Sequence, residues 1–371
     1  PTLDLNTGGG NLILVSGPVP AGPVALALDA AQSFVWTFSA AGAGGVGLTA
    51  TGTGRNAAGG ATVFASGGGS LSIVMGACPS APGLITTIAG QYGTSAALGD
   101  GGAAAAAAFI TPAAVVVDAF GNVFVADSKA GSYMAVRRID AATGIIAPYA
   151  GTGSVGPGNG DGGPAVAARF NEIAGIALDG AGNLFIADRS DHVVRRVDAG
   201  TGIVTTVIGT AGAPGFFGDG GPAAAAQLNS PAGLAVDAFG SLFIAVAANH
   251  AIRKVDGGSG IISTVAGDGT QGFNGDGIAV AVQLDSPSAV AVDGAGNLFL
   301  IDQAGYMIRR VDSAGNLTTI LQSPTGINQP SSIGVDGGGN LYIGDGGDQR
   351  GKRWDAVTPS LSRVAGGGAY C

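Results

Sequence analysis

The polar residues with the most regular spacing in this sequence are an aspartate and a basic residue that follows it by seven positions. The copies are Asp188 with Arg195, Asp302 with Arg309, Asp345 with Lys352 and, after a short insertion, Asp127 with Arg137. In one further copy Val246 stands where the aspartate would precede Arg253. A ring of such charges could bind a charged ligand, or each pair could bridge a β-hairpin. Because a binding site is normally asymmetric whereas this pair recurs along the chain, we interpret the pairs as structural.

A second recurrent polar element is the tripeptide Gly-Asp-Gly. Its aspartates are Asp100, Asp161, Asp219 and Asp276. Aspartate and backbone carbonyl groups are suitable ligands for Ca²⁺, but a calcium loop usually supplies several carboxylates and each of these supplies one. We therefore expect a turn in which the aspartate accepts hydrogen bonds from nearby backbone amides. The sequence predicts no cofactor, and calcium at these loops is the alternative that stays open.

Residues suited to catalysis are scarce. The chain has two histidines, His192 and His250, in equivalent places of two repeats, so they do not make a convergent set of metal ligands. No Gly-x-Ser-x-Gly motif is present, and the glycine runs at 8–10 and 67–69 are not followed by a helix pattern, which argues against a phosphate loop. The sequence thus predicts a protein without catalytic or metal-binding residues, which is not an enzyme.

The elements that must position the charged pairs form a repeat. Its anchors are apolar residues followed by aspartate: Val117-Asp118, Leu178-Asp179, Val236-Asp237, Val292-Asp293 and Val335-Asp336. After each anchor comes a glycine-containing turn and then three further apolar runs, such as LFIAD, VRRVD and GIVTTVIG. Each repeat therefore reads as four short strands. One such sheet cannot bury both of its faces, whereas tandem copies stacked around an axis can, so the sequence predicts an all-β fold of the β-propeller type.

The repeat is also specific enough to resemble a known family. The pattern P-x-G-x-A-V-D-x-x-G-N-L-F-I-A-D, followed by I-R-K-V-D and GIISTVAG, resembles the bacterial form of the NHL repeat over roughly residues 83–367. Asn249-His250 and Asp191-His192 stand where that family carries Asn-His. The resemblance implies a propeller of five or six four-stranded blades. Enzymes that resemble this family, such as amidating lyases, need a set of metal-binding histidines that two equivalent positions do not provide.

Residues 1–76 do not match the repeats well. Their short alternating strands, notably FVWTFSAAGAGGVGLTATGTG, resemble the small Ig-like modules of bacterial surface proteins. Alternatively, VALALDAAQSFVWTF is a degenerate first half of a sixth blade. We predict an Ig-like β-sandwich at 1–76, a linker at 77–82 and a propeller at 83–371, and the number of blades stays open.

One strand and two cysteines bear on how the ring closes. GLITTIAG, residues 83–90, matches a fourth strand without its first three, and we expect it to join the last blade. Cys78 lies just before this strand and Cys371 just after the last one, so antiparallel pairing would bring them within reach of a disulfide. A disulfide would indicate an oxidising compartment. Disulfides to other subunits and free thiols are the alternatives.

Composition narrows the function. The formal net charge is −9 and there is no basic stripe, which argues against nucleic acid binding. Only 11% of residues are charged, and no run of about 18 apolar residues suggests a membrane span. So few charges are tolerated when neighbouring subunits cover the surface. We predict an extracellular or cell-surface structural protein, a subunit of a filament or surface layer. Its expected partners are its own copies or other surface proteins. The alternative is a binding module that holds a protein or glycan on its loop face.

Overall fold

A computed structural model describes residues 87–91, 98–129, 133–154, 156, 160–323 and 326–366, together with six strands before residue 75. The chain divides into two compact units, residues 1–85 with 363–371 and residues 86–362.

The first unit contains short antiparallel strands. They are β1 (Leu3–Leu5), β2 (Val24–Leu26), β3 (Gln32–Phe38), β4 (Leu48–Gly54), β5 (Ala61–Ser66) and β6 (Ser70–Val74). They pair in two three-stranded sheets, in the orders β1-β3-β4 and β2-β5-β6. The side chains of residues 1–85 in this unit, Cys78 among them, and Cys371 lie outside the described residues. The Ig-like module and the disulfide therefore stay predictions.

Residues 112–365 form five blades, each of four antiparallel strands in chain order, and all of these strands except the end of the last one, at 363–365, lie in the second unit. Blade 1 comprises β7 (Pro112–Val117), β8 (Val123–Lys129), β9 (Tyr133–Ile139) and β10 (Ile146–Ala150), and blade 2 comprises β11 (Ile173–Leu178), β12 (Leu184–Asp188), β13 (Val193–Val197) and β14 (Val204–Ile208). Blade 3 comprises β15 (Pro231–Val236), β16 (Leu242–Val246), β17 (Ala251–Val255) and β18 (Ile262–Ala266). Blade 4 comprises β20 (Ala289–Val292), β21 (Leu298–Asp302), β22 (Met307–Val311) and β23 (Asn316–Leu321), whose edge pairs with β19 (Gly277–Ile278). Blade 5 comprises β24 (Pro330–Val335), β25 (Leu341–Asp345), β26 (Arg350–Asp355) and β27 (Ser360–Ala365).

Short 3₁₀ helices complete the blades. Four lie in the segments that lead into blades 1 to 4, at Ala104–Ala106, Ala165–Ala167, Ala223–Ala225 and Ala279–Ala281. Two more, Ala247–Asn249 and Gln303–Gly305, lie in the turns between the second and third strands. The predicted propeller of four-stranded blades is confirmed, and five is the number of blades formed by the described residues.

The turns follow from local hydrogen bonding. In blade 1 the carboxylate of Asp118 accepts the backbone amides of Phe120 at 2.9 Å and Asn122 at 2.8 Å. Gly121 between them has φ +83°, a left-handed conformation in which a Cβ atom would be strained. The Asn122 side-chain oxygen accepts the amide of Ala141 at 3.0 Å, which ties this turn to the turn between the third and fourth strands.

The hydrophobic core lies between successive blades. We call the side of a blade that faces the preceding blade its leading face, and the opposite side its trailing face. In the first of these interfaces Phe124, Ala126 and Val136 of blade 1 pack against Ile176 and Ile186 of blade 2. Because side chains alternate along a strand, each sheet supplies apolar residues to both neighbours.

The segment at residues 87–91 repeats a contact seen between blades. The amides of Gly90 and Gln91 donate to the carbonyls of Ala104 and Ala107, both at 3.0 Å. After β10, Gly151 and Thr152 bind the next 3₁₀ segment in the same way. Residues 90–91 thus occupy the position in front of blade 1 that residues 151–152, directly after the fourth strand of blade 1, occupy in front of blade 2. The last blade has four strands of its own. Whether residues 83–86 join that blade stays a prediction, because they lie outside the described residues.

Candidate functional site

In blades 1 to 4 the arginine in the third strand binds the aspartate of a Gly-Asp-Gly loop, whereas in blade 5 Lys352 takes this position and binds Asp345 and Asp348. Arg137 donates through Nε and Nη2 to Asp100 at 2.8 and 2.6 Å, and through Nη1 to the carbonyl of Ala108 at 2.7 Å. Arg195 binds Asp161 at 2.5 Å, Arg253 binds Asp219, and Arg309 lies 3.5 Å from Asp276. The two motifs that recur separately in the sequence therefore form one contact, which we call the arginine clasp.

The clasp holds the connector against the outer strands. Asp161 also accepts the backbone amide of Thr206 in β14 at 2.8 Å, and Asp219 does the same with Thr264 in β18 at 2.9 Å. The aspartate of the predicted turn thus accepts a hydrogen bond from the backbone amide of a strand about 45 residues further along the chain. The carboxylates of Asp161, Asp219 and Asp276 thus each contact an arginine and accept a hydrogen bond from a strand amide. Among the described residues Asp100 binds Arg137 alone, because the strand residue at the corresponding place is Pro148, which has no amide hydrogen.

The aspartates that end the second strands are buried. Asp127 accepts the amides of Ile110 and Thr111 at 2.9 and 2.7 Å, so it closes the loop that enters β7. Asp302 lies 3.3 Å from Arg309, and Asp345 lies 2.7 Å from Lys352, as ion pairs within one blade. Asp188 accepts amides from the loop before β11 at 3.0 to 3.2 Å, as Asp127 does before β7.

Burial raises the pKa of two of these carboxyl groups. Loss of solvent raises the pKa of Asp188 to about 7, the carboxylate of Asp191 adds to the shift, and the amides of Glu172 and Asn171 oppose it. Burial likewise raises the pKa of Asp302. In blade 3 Val246 supplies no carboxylate, and burial lowers the pKa of Arg253, against the attraction of Asp219. Asp188 is fully buried and does not face a substrate-sized opening.

Aromatic rings cover the arginines in two different ways. In blades 1 and 2 the rings of Phe109 and Phe170, just before the first strand, lie 4.9 Å from the guanidinium carbons. In blades 3 and 4 leucine takes that position, and Phe216 and Phe273 come from further back in the connector, at 5.3 and 5.1 Å. Sequence reasoning missed this exchange. Its signal was a phenylalanine three residues before the aspartate in GFFGD and GFNGD.

The two histidines link neighbouring blades. Nδ1 of His192 accepts the backbone amide of Ser230 at 3.1 Å, and Nδ1 of His250 accepts that of Ser286 at 3.2 Å. Both serines have positive φ, 58° and 53°, which turns their amides toward the histidine. Within the part of the chain that the structure describes, no group of three histidine, cysteine, aspartate or glutamate residues could hold a metal ion.

A small cavity lies beside the clasp of blade 2. It has a volume of about 160 Å³ and is lined by Asp161, Asp191, Arg195 and Thr206, among others. Ligand pockets usually measure roughly 300–1,000 Å³, so this one is too small for an organic substrate.

The inner half of the leading face of blade 1 is exposed. Val115 and Val117 of β7 are 62% and 59% exposed. The residues that correspond to Val115 in blades 2, 3 and 4, namely Ile176, Leu234 and Val290, are 4%, 8% and 5% exposed because the preceding blade covers them. Two β-branched apolar side chains thus face solvent at a position that is otherwise core.

The trailing face of blade 5 is exposed as well. Tyr342 of β25 is 43% exposed, whereas the corresponding Phe124, Phe243 and Phe299 are 3%, 7% and 3% exposed under the blade that follows each. These two faces are the strongest candidates for an interaction surface among the described residues.

The irregular connectors are a second candidate. Of residues 151–163, some lie outside the described residues. In the connector at 212–218, Phe217 is 75% exposed beside the ring of Phe216, which covers Arg253. Among the described residues no helix has the length and apolar character to cross a membrane.

Comparison with known proteins agrees with this architecture. The model of the teneurin NHL domain matches residues 213–274. Over 151 residues the chain is 32% identical to Protein SUPPRESSOR OF QUENCHING 1, chloroplastic, of Arabidopsis thaliana, which corresponds to 38% of this chain and 14% of that protein. The chain therefore spans only a small part of this relative.

Solved structures share the fold. A chain in the crystal structure of a nidogen/laminin complex superposes with a TM-score of 0.50 at 15% identity, over 69% of this chain and 80% of that one. Virginiamycin B lyase from Staphylococcus aureus superposes with a TM-score of 0.45 at 14% identity, over 69% of this chain and 70% of that one. The five four-stranded blades show that the described part of this unit is a β-propeller, a fold that it shares with the nidogen/laminin chain. The match to the teneurin NHL domain supports an NHL-type repeat in residues 213–274.

Proposed function

We propose that this protein is a non-enzymatic structural protein, a subunit of an extracellular filament or surface layer. The observation that carries the proposal is the exposure of Val115 and Val117 on the leading face of blade 1. Burying an aliphatic side chain of this size contributes about 1.5–3 kcal/mol, so leaving two exposed is costly in a monomer and favourable in an assembly.

Charge distribution supports the same proposal. Only 11% of residues are charged. Several of these charges are engaged in the clasps, and others in turn contacts such as Arg138 with Asp140 at 3.2 Å. Few charges remain to keep apolar surfaces of separate copies apart, which favours association.

The finer parts of the proposal concern the first unit and the setting. We infer that residues 1–76 are an Ig-like module of the bacterial surface type, and that Cys78 and Cys371 form a disulfide in an oxidising compartment. The protein then works without a cofactor, through contacts with its own copies or with other surface proteins.

The experiment compares the mass of the purified protein in solution over a range of concentrations with that of Val115→Lys. Light scattering after size-exclusion chromatography and electron microscopy give the mass and the shape of the assemblies. We expect the native protein to form larger species as its concentration rises, and the lysine variant to stay small. Val357→Lys is the matched control, because Val357 is also exposed but lies in a turn of blade 5. A native protein that stays monomeric at high concentration would refute the proposal.

A binding module is the second candidate, favoured by the exposed ring of Phe217. On this alternative the connector face holds a protein or glycan partner, since loops of a propeller converge on one face. Phe217→Ala would then abolish capture of a partner without changing the stability of the fold, while Val115→Lys would leave capture intact. Retained capture by Phe217→Ala would remove this candidate.

A further inference from the structure

The proposed assembly needs a second surface, and the structure offers one of matching design. We propose that the trailing face of blade 5 in one copy docks on the leading face of blade 1 in a second copy. This inference rests on the proposed function and specifies the partner. Both faces belong to the same compact unit, residues 86–362.

The contact has a template that occurs four times inside the chain. In the first three interfaces an apolar residue of the first strand shares a core cluster with an aromatic residue and a cross-strand apolar pair of the preceding blade. In the fourth interface Ile333 shares a cluster with Phe299 and Ile308, one member of the corresponding pair. These pairs are Ala126 with Val136, Ala187 with Val194, Ala245 with Ile252, and Ile301 with Ile308. All eight side chains are fully buried. The chain therefore already contains this interface between consecutive blades, and the two exposed faces are its unused halves.

The exposed half on blade 5 keeps part of the template and lacks part of it. Tyr342 retains the aromatic position, and its cross-strand partner Arg353 retains the cation that Arg138 provides in blade 1. The apolar pair is replaced by Gly344 and Gly351, which are cross-strand partners. The hydroxyl of Ser332 fills the place of the missing side chain on β25, since a Cβ at Gly344 would lie 2.3 Å from its oxygen. This part of the face therefore presents backbone and a small side chain beside the tyrosine ring, on which we infer that a branched apolar side chain of a second copy packs.

The exposed half on blade 1 supplies that side chain. Val115 and Val117 project on the same side of β7, two residues apart. The outer half of this face is already covered, because Ala89 and Phe109 pack with Val125 and Ile139. Only the inner half remains for a partner, which limits the contact to the inner strands of blade 5 in the second copy.

Ring closure within one chain would pair the same two faces. However, Val115 is 62% and Tyr342 43% exposed, so these two residues do not bury each other. Between two copies the contact joins two different faces, so a bound pair still presents one free face of each kind. Such a heterologous contact, if its rotation does not close a ring, generates an open filament.

The test uses the full-length chain with one added cysteine per copy, Val115→Cys in one preparation and Tyr342→Cys in the other. Both carry Cys78→Ser and Cys371→Ser, and light scattering of this background without the added cysteines shows that it still assembles. The two preparations are mixed and treated with a short bifunctional thiol reagent. We expect a cross-linked pair that contains one copy of each variant, which mass spectrometry of the linked peptides identifies as 115 joined to 342.

Three outcomes would overturn the proposal. The first is a cross-link within single chains of an additional variant that carries both Val115→Cys and Tyr342→Cys, which would show ring closure. The second is a cross-link only between two Val115→Cys copies, which would show a symmetric contact. The third is the absence of any link in a mixture that light scattering shows to be assembled. That last result would leave the proposed function standing and remove only this partner face, whereas a protein that never assembles would remove both.

Loss of association in a variant could also result from misfolding, so a variant that is expected to associate more tightly is included. Gly351→Val restores the side chain that the other blades carry at this position. If Val115 docks beside it, we expect self-association to tighten by about tenfold, because the added apolar surface becomes buried. Tyr342→Lys should abolish association to the same extent as Val115→Lys. Unchanged association in Gly351→Val together with unchanged association in Tyr342→Lys would refute the assignment of this face.

Discussion

Asp188 provides the sharpest test of the energetic description of the blades, through the substitution Asp188→Asn. The side chain is fully buried, and its pKa is raised to about 7, mainly by burial. In the unfolded chain an aspartate has a pKa of about 3.9. The folded protein therefore binds the proton more tightly than the unfolded chain, and Asp188 makes folding less favourable as pH rises from about 4 to about 7.

The magnitude follows from the difference between the two pKa values. Each pKa unit corresponds to about 1.4 kcal/mol, so Asp188 lowers the free energy of unfolding by about 4 kcal/mol at pH 7 relative to its contribution below pH 4. Asparagine has the same shape and stays neutral. Its side-chain oxygen can still accept the amides of Asn171 and Glu172, which both donate to Oδ1 of Asp188, at 3.1 and 3.0 Å.

The assay is urea unfolding of the native protein and Asp188→Asn at several pH values between 4 and 8. We expect the free energy of unfolding of the variant, relative to the native protein, to rise by several kcal/mol between pH 4 and pH 7. Asp118→Asn is the control of opposite sign. The pKa of Asp118 is lowered by hydrogen bonds from Asn122 and Phe120, which outweigh burial, so its stabilisation is present above about pH 4 and is lost on acidification. A stability difference for Asp188→Asn that does not change with pH would refute the reasoning, because the carboxylate would then be ionised throughout and compensated by Arg195.

Three other substitutions test separate contacts. Phe216→Ala should lower the free energy of unfolding by about 1–2 kcal/mol, because its ring covers a buried guanidinium, whereas the exposed Phe217→Ala should change it by less than about 0.5 kcal/mol in the same denaturation experiment. His192→Ala should lower the free energy of unfolding by about 1 kcal/mol and speed hydrogen exchange of the Ser230 amide, which donates to Nδ1 of His192. Unchanged exchange of that amide would contradict the hydrogen bond between the blades. Gly267→Ala should destabilise the fold severely, since the added Cβ would lie 2.2 Å from a backbone oxygen. Gly260→Ala is also at positive φ but in open space, and it should lower the free energy of unfolding by about 1 kcal/mol. Similar melting temperatures for the two variants would show that the positive φ, and not the close contact, sets the loss of stability.

The arginine clasps show which contacts the spacing of residues in the repeats can predict and which it cannot. Except in blade 3, spacing predicted that the arginine of the third strand pairs with the aspartate at the end of the second strand, and Arg309 and Asp302 are indeed 3.3 Å apart. It did not reveal that the Gly-Asp-Gly carboxylate binds the same arginine, because Asp100 and Arg137 are 37 residues apart and meet only when the connector folds back. A guanidinium has five donors in a planar fork, so one arginine serves a carboxylate and a carbonyl together.

The exchange of aromatic residues illustrates the same limit. Phe170 and Phe216 stand at different places in their repeats, yet each covers the arginine of its own blade. A comparison of repeats position by position reads these as unrelated residues. Only the path of the connector makes the two phenylalanines equivalent, because it folds back and places a ring from earlier in the sequence over the guanidinium of the same strand position.

The sequence by itself determined the local and repeated features of this protein. The alternation of apolar residues defines the strands, the Asp-x-x-Gly turns define their ends, and the recurrence of both defines the blades, since these depend on residues close together in the chain. Tertiary structure alone decided which equivalent residues are covered. Val115 and Ile176 hold the same place in their repeats, but Ile176 has a blade in front of it and Val115 does not. Burial depends on what stands opposite a residue, and this is why the faces that we propose for assembly could not be located from the repeats.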